Sequence, residues 1–299
     1  MNLKSAWNLL RQTVKEFFDD EALRLSAALS YYSVFSLAPL LLIAISIAGA
    51  VAGDEAVRGQ LDDQLKSSLG PSGAFAVQDM VANARKPATN ALMSAAGIVM
   101  LLVGAGGMFG QLQDALNTVW GVKRKSGRGI MGMLKDRFLS FGMVLGTGFL
   151  LLISMLLSTV LQSFTGYMGS IANLPPQVWT AISAVFSFAV VTVLFAAIFK
   201  VLPDLKIRWK DVWLGALFTA ALFVLGKMGI GWYLGREATS SSYGSAGALA
   251  LVLIWIYYSS IILLFGAEFT QVLANHRAEA RGEPPIGADD SSAEKLPGV

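Results

Sequence analysis

Few side chains in this sequence are equipped for chemistry, so where they stand matters. Lys227 interrupts an apolar run, with charge-free residues 212–226 before it and 228–235 after it. An ammonium group near the middle of a hydrocarbon layer costs ~2.5–3.5 kcal/mol, so it must reach protein, water or the membrane surface. Two uses fit: snorkelling to the outer surface, or a cavity lysine that contacts an anionic ligand or head group. Ser26, Ser30 and Ser33 stand at i, i+4 and i+7 and share one helix face, with Tyr31 and Tyr32 between them. Such serines either hold helix to helix or form the polar wall of a path through the membrane. Pro39 removes a hydrogen bond to the carbonyl of Phe35, so a kink is expected there. Asp114 and Glu268 each stand at the inner end of an apolar run. Glu268, after Gly266-Ala267, is expected either to pair with a basic residue from 121–137 or 200–210, or to serve as a gate or proton site.

Other chemistries are closed off. The chain has no Cys and a single His, His276, which removes thiolate sites, disulfides and multi-His metal centres. Neither a metal nor a cofactor is expected, and no enzyme. The run Gly127-x-Gly129-x-x-Gly132 matches a dinucleotide fingerprint only in letters. That fingerprint needs a strand before it and a helix of a βαβ unit after it; here a Lys/Arg loop precedes it.

The elements that position these residues are membrane helices. Of 299 residues 55% are hydrophobic and 14% charged, where a soluble domain carries about a quarter charged. Charge-free stretches cover 25–53, 87–113, 138–199, 212–226 with 228–235, and 238–267. About 20 helical residues cross a hydrocarbon core, and the longest stretch is divided at Pro175-Pro176. An all-α, polytopic fold with six transmembrane helices follows: 29–52, 90–113, 138–164, 177–200, 211–235 and 246–272. With both termini inside, inner segments hold 17 of the 23 Lys and Arg and outer segments five. That is a positive-inside pattern. It also explains the pI of about 9.1 without nucleic acid: basic loops face an anionic leaflet.

Three parts follow. Residues 1–24 form an amphipathic interfacial helix, with Leu3, Ala6, Trp7, Leu10, Val14, Phe17 and Phe18 near one face. Its acids and the lack of a small-residue cleavage site set it apart from a secretory signal. Residues 25–275 form the transmembrane domain, in which 53–89 is read as two short helices capping the outer side, broken at Gly70-Pro71. Residues 276–299 form a disordered inner tail. Gly106-xxx-Gly110, Gly142-xxx-Gly146 and Gly231-xxx-Gly235 permit close helix packing, within the chain or in a homo-oligomer.

Four runs in order carry a resemblance. They are Leu25-Ser-Ala-Ala-Leu-Ser-Tyr-Tyr-Ser-Val-Phe-Ser-Leu-Ala-Pro-Leu, Gly110-Gln-Leu-Gln-Asp-Ala-Leu-Asn-Thr-Val-Trp-Gly-Val-Lys, Leu202-Pro-Asp with Arg208-Trp-Lys-Asp-Val-Trp-Leu-Gly-Ala, and Tyr243-Gly-Ser-Ala-Gly with Leu253-Ile-Trp-Ile-Tyr and Gly266-Ala-Glu. Over roughly 20–275 the chain resembles the YihY/BrkB family of bacterial inner-membrane proteins. The resemblance implies six helices and a multi-pass location in the bacterial cytoplasmic membrane. It does not supply a mechanism. Members once carried the label ribonuclease BN, which this chain's residues disfavour; others are linked to virulence and to export of lipid or envelope material.

The residues then support a transporter or flippase of an amphiphilic, anionic lipid or envelope substrate. Lys227 would hold the head group, the Ser26, Ser30 and Ser33 face with Tyr31, Tyr32 and Pro39 would line the path, and Asp114 and Glu268 would act at the inner mouth. A non-transporting scaffold or assembly factor is the alternative. The expected partners are membrane lipids, not nucleic acid.

Overall fold

The computed structural model describes residues 3–52, 54–84, 107–122, 176–205, 207–237 and 244–286. Within them the chain is helical and contains no strand. The helices are α1 (Leu3–Asp19), α2 (Ala22–Ala52), α3 (Asp54–Ala84), α4 (107–119), α5 (Pro176–Val201), α6 (Trp209–Glu237) and α7 (Gly244–Glu279). Three carry stretches long and apolar enough to cross a membrane: Ala184–Val201, Trp209–Gly229 and Leu249–Glu279. The expected span 138–164 and most of 90–113 lie outside the described residues, as does Gly127-x-Gly129-x-x-Gly132.

The apolar arc of α1 is divided between buried and exposed residues. Leu9, Thr13 and Phe17 are buried. Leu9 packs with Val272 and Leu273 of α7, and the ring of Phe17 meets that of Phe265 edge-on at 5.6 Å. Trp7, Val14 and Phe18 remain exposed. So α1 is held by the bundle on one side and offers the other to its surroundings. The chain turns between α1 and α2 at Glu21, whose φ of 52° lies in the left-handed region, a conformation that costs a non-glycine residue about 1 kcal/mol or more.

The main core lies where that corner meets α4, the end of α5, the start of α6 and the last third of α7. Ala22, Leu25, Leu116, Trp120, Phe199, Val212, Ala216, Leu264 and Ala267 belong to it. A second cluster sets Val77 of α3 against Val34 of α2 and Val252 of α7. The segment read as an outer cap is therefore packed into the bundle. Its expected break is present: Gly70, before Pro71, leaves helical geometry at φ 71° and ψ 174°. α5 starts at Pro176, where a missing N–H costs nothing; the expected span before it lies outside the described residues.

α6 and α7 are zipped antiparallel by a reciprocal device. Thr270 fills the space over Gly215, and Thr219 fills the space over Gly266; a Cβ on either glycine would overlap the facing threonine. Each threonine hydroxyl donates to the carbonyl four residues back, Thr219 to Gly215 at 2.7 Å and Thr270 to Gly266 at 2.6 Å, so neither of these two buried hydroxyls is left unpaired. Further along, Tyr258 occupies the space over Gly226. The close approaches thus fall at glycines other than those picked from GxxxG spacing. Gly110 has open space where a Cβ would stand, while Gly106, Gly142 and Gly146, and the surroundings of Gly231 and Gly235, lie outside the described residues.

α7 runs on through His276 and Arg277 to Glu279, and Gly282 (φ 70°) closes it. Ile286 then returns its N–H to Asn275 Oδ1 at 2.8 Å.

Candidate functional site

Glu268 is fully buried, and neither carboxyl oxygen has a hydrogen-bond partner among the described residues. The α6–α7 zipper explains its direction. Gly266 and Thr270 face α6, so the residue midway between them points away, towards the corner of α1 and α2. The strongest charges acting on it there are those of Asp20 and Glu16. The expected ion pair with 200–210 does not form among the described residues, and 123–137 lie outside them. The reason is geometric. Of the described cations in 200–210, Lys200 donates to the carbonyl of Ile207, Arg208 reaches Glu283 at 3.5 Å and Lys210 is exposed.

Asp20 is the acid that the sequence reading missed. It is half-buried at the corner, where its N–H donates to the Glu16 carbonyl at 2.8 Å. Burial first, then the charge of Glu16, pushes its carboxyl from 3.8 up to about 6; the facing Glu268 opposes part of that rise, and Asp19 adds to it. The two carboxyls are close enough to couple, yet the oxygens of Glu268 do not meet the geometry of a formed hydrogen bond. Neighbouring cations are turned to other acids, Arg24 to Glu21 and Lys15 to Asp19 at 3.8 Å. One signal for Asp20 was available: it stands in the middle of the short acidic run Asp19-Asp20-Glu21 next to an apolar span. What it lacked was any indication of the helix that would cover it.

The remaining candidates separate. Ser26, Ser30 and Ser33 are buried, joined on their face by Ser36. Ser30 Oγ donates to the Leu253 carbonyl of α7 at 3.1 Å, whereas the hydroxyls of Ser26 and Ser33 have no partner among the described residues. This face packs on α7. Tyr31 and Tyr32, with Phe35, stand exposed on the other side of α2. Pro39 lies within the continuous helix α2. Asp114 is partly buried on α4 and is engaged with a partner. Lys227 is half-buried on α6, far along the helix from Asp211 at its start, and makes no ion pair among the described residues.

A second cluster joins two of the sequence runs. Asn117 of α4, itself buried, donates through Nδ2 to Asp204 Oδ2 at 3.0 Å and accepts the Asp204 N–H at 2.8 Å. Gln113 adds a bond to Asp204 Oδ1 at 3.2 Å. Gly121 (φ 64°) ends α4 just beyond, its left-handed backbone letting Val122 N–H reach the Asn117 carbonyl at 2.8 Å.

Two of these contacts unite the runs that carried the resemblance: Asn117 with Asp204 and Ser30 with Leu253. A family profile described as Virulence factor BrkB matches residues 13–289. The chain belongs to the BrkB family. It is also similar to UPF0761 membrane proteins. That of Alkalilimnicola ehrlichii is 31% identical, over 90% of this chain and 60% of the relative. That of Saccharophagus degradans is 32% identical, over 87% and 58%, and that of Pseudoalteromonas translucida is 25% identical, over 95% and 92%. The chain spans about three-fifths of the length of the first two relatives. No solved structure matches. BrkB membership and the apolar helices make this a membrane protein.

Proposed function

We propose that this BrkB protein is a six-span inner-membrane transporter or flippase of an anionic amphiphile, with both termini inside, and that Glu268 and Asp20 exchange a proton at its inner mouth. The observation that carries the reading is the burial of Glu268 without a hydrogen bond or ion pair among the described residues. An unpaired charge in such a place costs several kcal/mol, and a protein built only to organise partners gains nothing from retaining it. A carrier does, because a group that alternates between charged and neutral can drive two arrangements of the helices around it. The half-exposed Asp20 is the natural route between Glu268 and inner water. Lys227, without an ion-pair partner among the described residues, remains the candidate for the head group. The buried serine face against α7 would be the seam that opens.

The test is lipid flipping by the purified protein in liposomes, with and without a pH gradient. Wild type should flip anionic lipid faster with the gradient. Glu268→Gln should insert, stay monodisperse and lose the gradient dependence, and Lys227→Ala should lose flipping. Absence of flipping by wild type, across anionic and neutral lipids, would leave the scaffold as the better reading.

A further inference from the structure

An open hollow of about 460 Å³ lies between the start of α6 and the end of α7, lined by Arg208, Lys210, Asp211, Arg277, Ala280 and Arg281. We propose that it binds the phosphate of an anionic lipid head group at the inner membrane surface, a site separate from Glu268 and Lys227 that holds whether or not the lipid is cargo.

Asp211 organises the hollow. It is 2% exposed. Its Oδ1 holds Arg277 Nη1 at 3.3 Å, and its Oδ2 lies 4.0 Å from Arg281 Nη2. Arg277 is further fixed by donating to the Lys210 carbonyl at 2.9 Å. One carboxylate cannot satisfy two guanidinium groups, each with five N–H donors in a planar fork. Both arginines are only about a third exposed, at 32% and 31%, so their forks are pre-positioned and partly dried. Such an arrangement suits bidentate recognition of phosphate oxygens. Arg208 and Arg281 are bridged at the rim by Glu283, at 3.5 and 2.8 Å. That bridge involves half-exposed groups and is worth little, so a phosphate can displace it. Lys210 is exposed, and its ammonium has no partner among the described residues. Four cations against Asp211 and Glu283 leave a net charge of about +2, matched to a phosphodiester plus a second anionic contact.

The tryptophans next to the hollow identify the source of the phosphate. Trp209 and Trp213 are 50% and 42% exposed on α6, one turn apart, with ring centroids at 6.5 Å. Half-exposed indoles at the end of a membrane helix settle at head-group depth. They set the cations level with lipid phosphates, and the apolar rings can lie against the glycerol and upper acyl chain.

Native mass spectrometry of the detergent-purified full chain tests this, titrating phosphatidylglycerol, phosphatidylcholine, diacylglycerol or inorganic phosphate. Phosphatidylglycerol should be retained at least tenfold better than diacylglycerol, and better than phosphatidylcholine. Lys210→Gln with Arg281→Gln should weaken its retention about tenfold or more, while Lys15→Gln with Lys66→Gln, equal in charge, should not. Lys210→Gln alone, at an exposed side chain, should weaken it severalfold and keeps the test decisive if the double variant misfolds. Equal retention by wild type and Lys210→Gln overturns the site. Displacement of phosphatidylglycerol by equimolar inorganic phosphate overturns the lipid and leaves a free-phosphate site. Flipping in liposomes is scored separately, so loss of the transport reading leaves this binding result standing.

Discussion

Asp20 is where a single residue's surroundings have a measurable signature. Its carboxyl titrates near 6 in the fold, above the ordinary 3.8, mainly because it is buried beside Glu16. Between about pH 4 and 6 the folded chain therefore holds a proton that the unfolded chain has released. Stability should fall as pH rises through that window and level off above it. The group is only partly buried, so solvent screening reduces the effect to on the order of 1 kcal/mol. Thermal unfolding in detergent at pH 4 to 7.5 should show this decline in wild type and a flatter profile in Asp20→Asn, which should also be the more stable protein at neutral pH. A profile unchanged by Asp20→Asn would mean that other groups carry the titration. The sequence reading did not find the neighbours of Glu268, because charge partners lie on other elements.

At the scale of elements, the α6–α7 zipper makes a prediction about pairs. Gly215→Ala puts a methyl into Thr270, and overpacking of this kind typically costs 1–3 kcal/mol. Thr270→Ala alone leaves a void in the same place. The two changes together restore the volume, so the double variant should recover much of the stability lost by Gly215→Ala. A double-mutant cycle on thermal unfolding gives the coupling. Additive losses would show that the two helices do not approach in this register. Sequence spacing alone could not find this device: Gly-xxx-Thr on each helix is unremarkable until the two are set antiparallel and matched.

For the molecule as a whole, the Asn117–Asp204 clasp matters most, since it joins α4 to the turn between α5 and α6. Asn117 is 4% exposed and serves both the side chain and the backbone of Asp204. Asn117→Ala should strand both, at a cost of about 2–4 kcal/mol. Asn117→Asp should be no better, since it sets a carboxylate against Asp204. The measurement is the midpoint of unfolding of the detergent-solubilised chain; a shift of under about 1 °C would mean that water replaces the clasp. The same packing divided the apolar arc of α1, because Leu9 and Phe17 find Val272, Leu273 and Phe265 in a helix more than 240 residues away in sequence.

The sequence by itself determined that this is a helical membrane protein of the BrkB family. Charge-free runs of about 20 residues leave the backbone no alternative to helix in lipid, and the run of motifs carries the family. It also placed the break at Gly70-Pro71 and the start of α5 near Pro176, which are local backbone effects. Tertiary structure alone decided which acid faces Glu268, which glycines are pressed by threonines, and which cations gather around Asp211. Each depends on the register and rotation of helices that meet from distant parts of the chain, and a shift of one residue would turn every such side chain about 100° around its helix.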